Sequence, residues 1–429
     1  MFPLHADFTV SHEDLCGTAL TGAGGLTPSA DRWGTQMQVP LLDLKAQNQS
    51  VWSEIHAALD PVMEEGHFIL GPAVARFEMQ FADYVGVSHC VGVNSGTSAL
   101  HLALLACDIG PGDEVITTPA TWISTSWAIS YVGARPVFVD IDPITYTLDP
   151  RLVERAITPR TRAILPGHLY GQAADLSSLS KLAEVHELVL IEDAAQAPGA
   201  VYNGRRAGTF GKVGCFSFHP GENLGSFGEA GAVVTDDNEL AGRVRRLRDY
   251  GQSSRHRHVE IGYNMSMEGV QGAVLWAKLA HLDAWNAARV RHARGYAKRL
   301  ADLPGVILPE APSPEAHVWH LYVIQVRGWD REELRGELAD RGVATGVHYP
   351  TPVPFQPAYA HLGYRPGDFP VAEDMARHCL SLPMFPELTE EQIDHVAASL
   401  SDVLLGAAVY EEADPRAERR VEPQGWSAS

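Results

Sequence analysis

The sequence predicts an α/β fold with a mostly parallel central sheet and a smaller C-terminal α+β domain. Three observations predict it. From Val39 onward, short apolar runs alternate with helix-periodic segments. Those runs are apolar between their ends, without an alternating polar face, as in parallel strands covered on both sides. A long proline-free helical stretch, Met267 to Leu300, then leads the chain out of the alternating region.

Taken in order, Val51 to Glu65 has helical periodicity, and Gly71-Pro72 opens the next helix, running from Ala73 to Tyr84. Cys90 to Val93 reads as a strand, followed by a turn and a helix from Ser98 to Cys107. Glu114 to Thr117, Arg135 to Asp140, Arg162 to Pro166 and Leu188 to Asp193 are further short strands with helical segments between them. Strand–helix alternation of this kind implies right-handed βαβ units. Cys215 to Phe218 and Gly231 to Thr235 add two strands joined by a loop. Beyond the long helix, His320 to Val326 and Val343 to Val347 read as strands and Arg331 to Asp340 as a helix. A last helix is expected over Glu390 to Leu404, with Thr389 as N-cap and Gln392 closing a capping box. The expected organisation is a flexible arm over 1–36, a large α/β domain over 37–285, a small α+β domain over 286–408 and a frayed tail over 409–429.

Composition narrows the function. The chain of 429 residues is 45% hydrophobic and 20% charged, as ordinary globular enzymes are. Its net charge of −20 argues against a nucleic-acid partner. No apolar run is long enough to span a bilayer, and residues 1–36 lack the basic-then-apolar order of a secretory signal, so a soluble cytoplasmic protein is expected. The five cysteines (Cys16, Cys90, Cys107, Cys215 and Cys379) form no CxxC pair, so neither a metal site nor a disulfide framework is expected. The basic run from Arg243 to Arg248, continued by Arg255 and Arg257, reads as a solvated helix face; its sharper reading is a rim that attracts an anionic substrate.

Three stretches carry chemical potential. Asn94-Ser95-Gly96-Thr97-Ser98 lies between a strand and a helix, where hydroxyls and free N–H groups gather at the positive end of the helix dipole. It is either an anion site or a plain cap. Glu192-Asp193 ends a very apolar strand, on the side of a parallel sheet where ligands bind. Its acid either awaits a cationic partner or caps the next helix. His219-Pro220-Gly221-Glu222-Asn223-Leu224-Gly225 joins two strands and holds His219 and Glu222, of which the histidine is equally readable as a packed loop residue.

In their order, these stretches resemble the sugar aminotransferases of the DegT/StrS type. The resemblance runs through Asn94 to Leu100, Thr118-Pro-Ala-Thr-Trp122, His168-Leu-Tyr-Gly-Gln172, Glu192 to Gln196, Ser217-Phe-His-Pro with Asn223-Leu-Gly, and Tyr263-Asn-Met265. His320-Leu-Tyr322 and Thr345 to Pro350 extend it toward the C-terminus, so that it covers roughly Val39 to Val403. It implies the fold-type I architecture of pyridoxal-phosphate-dependent transferases, and a homodimer. It further implies that Gly96, Thr97 and Ser217 hold the cofactor phosphate, that Trp122 stacks on the pyridine ring, and that Asp193 pairs with the ring nitrogen. Gln196 resembles the donor to the ring's phenolic oxygen, and Asn264 the residue that reaches the phosphate of the neighbouring subunit. The implied substrate is a small sugar or cyclitol-like molecule, nucleotide-linked or free.

One position departs from the family pattern. Where the resemblance calls for the Schiff-base lysine, between Pro220-Gly221 and Asn223, stands Glu222. A carboxylate forms no imine, yet a buried one with a raised pKa transfers protons. The expected protein therefore binds pyridoxal or pyridoxamine phosphate noncovalently, with Glu222 and His219 as catalytic candidates and without ordinary transamination. Three other readings stay open: a cofactor-independent acid–base enzyme in the same cleft, a catalytically silent partner subunit, and an ordinary aminotransferase with an engineered Lys-to-Glu substitution. Ser266 is a second departure, at a position where the family often has arginine.

Overall fold

The computed structural model describes residues 37–313 and 316–413. The expected arm over 1–36 and the part of the expected tail beyond 413 lie outside these residues. The strands, in chain order, are β1 (His89–Val93), β2 (Glu114–Thr117), β3 (Arg135–Phe138), β4 (Thr161–Leu165), β5 (Val189–Asp193), β6 (Val201–Tyr202), β7 (Arg205–Arg206), β8 (Val213–Ser217), β9 (Gly231–Thr235), β10 (Gln252–Ser254), β11 (Arg257–His258), β12 (Val306–Ile307), β13 (Tyr322–Val326) and β14 (Cys379–Leu382).

Seven of them make the central sheet, in the spatial order β1-β9-β8-β5-β4-β2-β3. Only β9 runs against its neighbours; it pairs antiparallel with both β1 and β8, while β8, β5, β4, β2 and β3 pair in parallel. The sheet is therefore mostly parallel, and its apolar strands are explained by burial: β2 and β9 are buried along their whole length. Helices Gly96–Ala106, Ser124–Tyr131 and Asn238–Leu247 pack on one side and share a core with Val91, Val115, Ile191 and Val233. A second sheet, β12-β13-β14, has its own apolar core with Tyr296, Leu334, Leu338 and Ile393.

Three elements differ from expectation. The stretch Met267 to Leu300 is two helices, Gly269–Leu279 and Leu282–Leu300, because the turn at Ala280-His281 lets Leu279 and Leu282 enter one core together. The second of these helices spans the boundary expected near residue 285; Leu282 packs in that core under the central sheet, while Tyr296 and Leu300 pack in the core of the second sheet. Val343 to Val347 makes only isolated bridges, Val343 to Val39 and Gly346 to Ser381, since its successive residues turn to different partners. The last helix runs Glu390–Ala413, past both its expected end and the expected start of the tail. Its start carries the capping box: Gln392 N donates to Thr389 Oγ1 (3.2 Å), and Thr389 N to Gln392 Oε1 (2.9 Å). Among the described residues, no helix is long and apolar enough to cross a membrane.

Candidate active site

The site grows from the register of β9. Gly231 pairs with Val93 on one side and with Ser217 on the other, which brings the carboxyl ends of β1 and β8 together. A Cβ on Gly231 would lie 2.4 Å from the Ser95 carbonyl carbon, and one on Gly96 would lie 2.8 Å from Ser217 Cβ. Only glycines permit this approach. Ser95 caps the Gly96–Ala106 helix through Ser98 N (3.0 Å), and the intrahelical ladder begins at Ala99. The amides of Gly96 and Thr97 therefore precede the ladder, beside the Ser217 hydroxyl, as an anion cradle requires. The Thr97 hydroxyl donates to Ser124 Oγ (2.8 Å), which orients it.

Across the cradle, β5 ends in two acids with opposite fates, because successive residues of a strand point to opposite faces. Glu192 is fully buried away from the cleft. It accepts hydrogen bonds from Gly208, Phe210 and Gly211 N, and it meets His168 Nε2 at 3.0 Å. Asp193 turns toward the cleft, where Oδ2 accepts from the Thr125 hydroxyl (2.7 Å) and Oδ1 from Ala195 N (3.2 Å). Burial pushes its carboxyl up, against the Thr125 and Ala195 bonds and the nearby His168. A protonated ring nitrogen is the kind of partner that would offset this. Gln196 accepts from Tyr170 N (2.7 Å) and donates from Nε2 to Tyr349 Oη (3.1 Å), leaving one amide hydrogen for a ligand. Trp122 is 57% exposed, tilted against Tyr349 with ring centroids 5.6 Å apart. An indole so placed has a face available for a planar ring.

Glu222 sits on the loop between β8 and β9. That loop is pinned by Ser226, whose N and Oγ both donate to Phe218 O (2.8 and 2.7 Å), and by buried Lys278, whose Nζ donates to Gly225 O (2.7 Å). A Cβ on Gly225 would lie 2.3 Å from Pro220 O, so the tight turn needs glycine. Glu222 N donates to His219 O (2.8 Å), while the His219 ring is exposed to solvent. The histidine facing the Glu222 carboxyl is instead His320, with Nδ1 3.5 Å from Oε2. Oε2 is buried and has no hydrogen-bond partner among the described residues. Burial pushes this carboxyl up to about 8; the Ser217 hydroxyl and Arg289 pull it down, and the charges of Asp193 and Glu229 push it further up. The cleft thus unites Gly96, Thr97, Asp193, Gln196, Ser217, Trp122 and Glu222. Asn264 is exposed and bridged through its backbone to Asp249, and the next residue, Met265, accepts from Asn94 N (3.1 Å).

The basic run is largely neutralised. Arg243 pairs with Asp108 and Glu260, Arg246 with Glu260, and Arg248 with Glu78. Thr125 was not singled out by sequence, and His320 and Tyr349 were read only as part of the stretches that extend the resemblance, with no role at the site. Thr125 stands one helical turn after Trp122, a spacing that puts both on one side of the Ser124–Tyr131 helix start.

The chain matches the model of the DegT/DnrJ/EryC1/StrS aminotransferase family over residues 49–401. It belongs to that family. Members similar to it include the erythromycin biosynthesis sensory transduction protein EryC1 of Saccharopolyspora erythraea, 49% identical, with 85% of this chain and 99% of that protein covered. Another is the dTDP-3-amino-3,4,6-trideoxy-alpha-D-glucose transaminase of Streptomyces venezuelae, also 49% identical, with 83% and 93% covered. The crystal structure of ntdA from Bacillus subtilis with bound cofactor PMP superposes with a TM-score of 0.80 at 32% identity, covering 88% of this chain and 87% of that one. The architecture is accordingly the fold-type I aminotransferase fold of this family.

Proposed function

We propose that this family member is an enzyme acting on a nucleotide-linked keto- or amino-sugar, and that it holds pyridoxal or pyridoxamine phosphate without a covalent bond. Glu222 stands where the family pattern has lysine and transfers the proton that the lysine would have carried. The observation that carries this reading is the buried, unpartnered Oε2 of a carboxyl raised to about 8, in one cleft with Asp193 and Ser217. An acid that keeps its proton near neutrality gives and takes it with little driving force, as general acid–base catalysis favours.

The residues of the cleft fit the cofactor. Gly96 and Thr97 N–H, with the Ser217 hydroxyl, would receive the phosphate; Asp193 would meet the ring nitrogen, Gln196 the phenolic oxygen and Trp122 the ring face. Bound there, the cofactor supplies an electron sink to the substrate carbon next to nitrogen. The protein's part is to keep the ring nitrogen protonated through Asp193 and to move the proton at Glu222. A nucleotide-linked sugar is supported by the substrate named for the Streptomyces venezuelae relative. A homodimer is supported by exposed Asn264 and by its exposed apolar neighbours Tyr250, Val259 and Ile261, the last 89% exposed. Free Cys90, Cys107, Cys215 and Cys379 accord with a reducing cytoplasm.

The deciding experiment adds pyridoxal phosphate or pyridoxamine phosphate to the purified protein, passes it through gel filtration and treats it with borohydride. The expected result is a retained chromophore with no cofactor mass bonded to the chain. A protein that retains no chromophore, or one that gains the cofactor mass, overturns the reading. Sedimentation at micromolar concentration checks the dimer, which a monomer would refute.

A further inference from the structure

The Glu222 carboxyl has a partner poised beside it. Oε2 is buried and unbonded, and His320 Nδ1 stands 3.5 Å away, both side chains being 12% exposed. At that separation no full hydrogen bond has closed.

The tautomer of His320 follows from its other neighbours. Asn286 Nδ2 donates to Pro198 O (3.0 Å), so Asn286 presents Oδ1 to Asn223. Asn223 Nδ2 donates to that Oδ1 (2.8 Å) and to Val318 O (2.9 Å). With both amide hydrogens engaged, Asn223 offers Oδ1 to His320 Nδ1 at 3.3 Å. An amide oxygen only accepts, so Nδ1 carries the ring hydrogen, an assignment made from the network of acceptors. Asn223 is fully buried and Asn286 is 8% exposed, which holds both amides in this orientation. Burial, with Arg289 and the neighbouring histidines His348, His219 and His317, keeps His320 well below its ordinary range, so the ring is neutral near pH 7.

We propose that His320 is the positioning residue of the Glu222 acid: its one Nδ1–H, which the Asn286–Asn223 relay places between Asn223 Oδ1 (3.3 Å) and Glu222 Oε2 (3.5 Å), shifts from the amide oxygen onto Oε2 when the carboxyl gives up its proton. The proposal rests on the reading of Glu222 as a proton-transferring acid. A neutral carboxyl accepts weakly, so the contact stays long. A carboxylate accepts strongly, and a donor that bonds the charged form lowers the cost of forming it. With Oε2 facing His320, the proton is held and released at Oε1. Asp193, Glu229 and Arg289 also act on this carboxyl, and Ser217 bears on it; the substitutions below leave all four in place.

The test needs neither cofactor nor substrate. The Glu222 carboxyl is titrated by carbon NMR in cofactor-free protein labelled with ¹³C at glutamate Cδ, its signal assigned by loss in Glu222→Gln. His320→Phe, which removes the donor, should move the titration upward by roughly one to two pH units. His320→Asn, whose amide N–H falls near the place of Nδ1, should restore most of it. A titration that does not move in His320→Phe overturns the proposal. Should that variant fail to fold, nitrogen NMR of ¹⁵N-histidine wild type reads the tautomer directly: hydrogen on Nδ1 supports the proposal, and hydrogen on Nε2 overturns it. Turnover that survives Glu222→Gln would instead remove the acid role of Glu222, and the titration would still decide the His320 contact.

Discussion

The Thr125 hydroxyl donates to Asp193 Oδ2 over 2.7 Å, joining the helix behind Trp122 to the end of β5. Thr125 has one hydroxyl hydrogen and Asp193 takes it, so Thr121, 2.9 Å away, donates to Thr125 in turn. This chain of hydroxyls fixes the Asp193 carboxyl before any ligand arrives. Asp193→Asn should weaken cofactor binding by about 1.5–3 kcal/mol, because an amide cannot hold a ring nitrogen protonated. Thr125→Val should cost less, about 1 kcal/mol, since it loosens the acid without removing its charge. Absorbance titration with the cofactor measures both. Equal affinity in Asp193→Asn would mean that the acid serves only to cap Ala195 N.

The neighbouring acid should behave oppositely. Glu192 is enclosed by the N–H groups of Gly208, Phe210 and Gly211 and by His168. Glu192→Ala leaves these donors facing a cavity and should cost about 3–5 kcal/mol of stability, as breaking a buried network does. The residues proposed to hold the cofactor are untouched, so affinity in the protein that still folds should change little. Denaturant unfolding with a parallel cofactor titration checks both halves. A loss under about 1 kcal/mol would show that water replaces the carboxylate freely.

Glu222 makes the stability of the cofactor-free protein depend on pH. Its carboxyl is raised in the folded state from 4.5 to about 8, so folding is favoured by the bound proton. That contribution is complete below 4.5 and is lost as pH rises toward 8. At about 1.4 kcal/mol per pH unit the decline is on the order of 4 kcal/mol. Glu222→Gln has no proton to lose and should flatten this part of the profile. The difference in unfolding free energy between wild type and Glu222→Gln, followed from pH 4.5 to 8, is the measurement. Parallel profiles would mean that Glu222 is solvated in the folded protein.

How much of this was legible in the sequence depends on where the determining force lies. The strands of the central sheet were readable because burial on both faces leaves an apolar run, and Thr389 with Gln392 because a cap is local chemistry. The break at Ala280-His281 was not, since helical periodicity continues across it and only the shared core of Leu279 and Leu282 demands the turn. Residues 343–347 look like a strand by composition, but pairing is decided by distant Val39 and Ser381. At the site, the strand end marked the pair Glu192-Asp193, and only the resemblance told Asp193 from Glu192. His320 was not placed beside Glu222, because two residues so far apart in sequence share no local signal and the contact arises where the chain just before β13 approaches the loop after β8. His219, nearer in sequence and the histidine named there, is exposed, with Nδ1 accepting from Gly221 N (3.3 Å).

The substitution Glu222→Lys asks whether one residue separates this cleft from the family pattern. Gly96, Thr97 and Ser217 lie together at the ends of β1 and β8, and Asp193, Gln196 and Trp122 are joined to the same cleft through Thr125 and Tyr349. A lysine amine delivered there would be surrounded as the carboxyl is, and burial would favour its neutral form, the form that attacks an aldehyde. The expected outcome is a yellow protein in which borohydride fixes the cofactor to the chain, detected as added mass at the substituted position. Exchange of an amino group with a donor such as glutamate, in a half-reaction, should then become measurable above the wild-type level. A variant that folds and retains the cofactor phosphate, yet forms no reducible bond, would show that the loop from His219 to Gly225 no longer delivers its side chain to the aldehyde. The divergence would then lie in the path of that loop, held by Ser226 and Lys278, rather than in the one residue it carries.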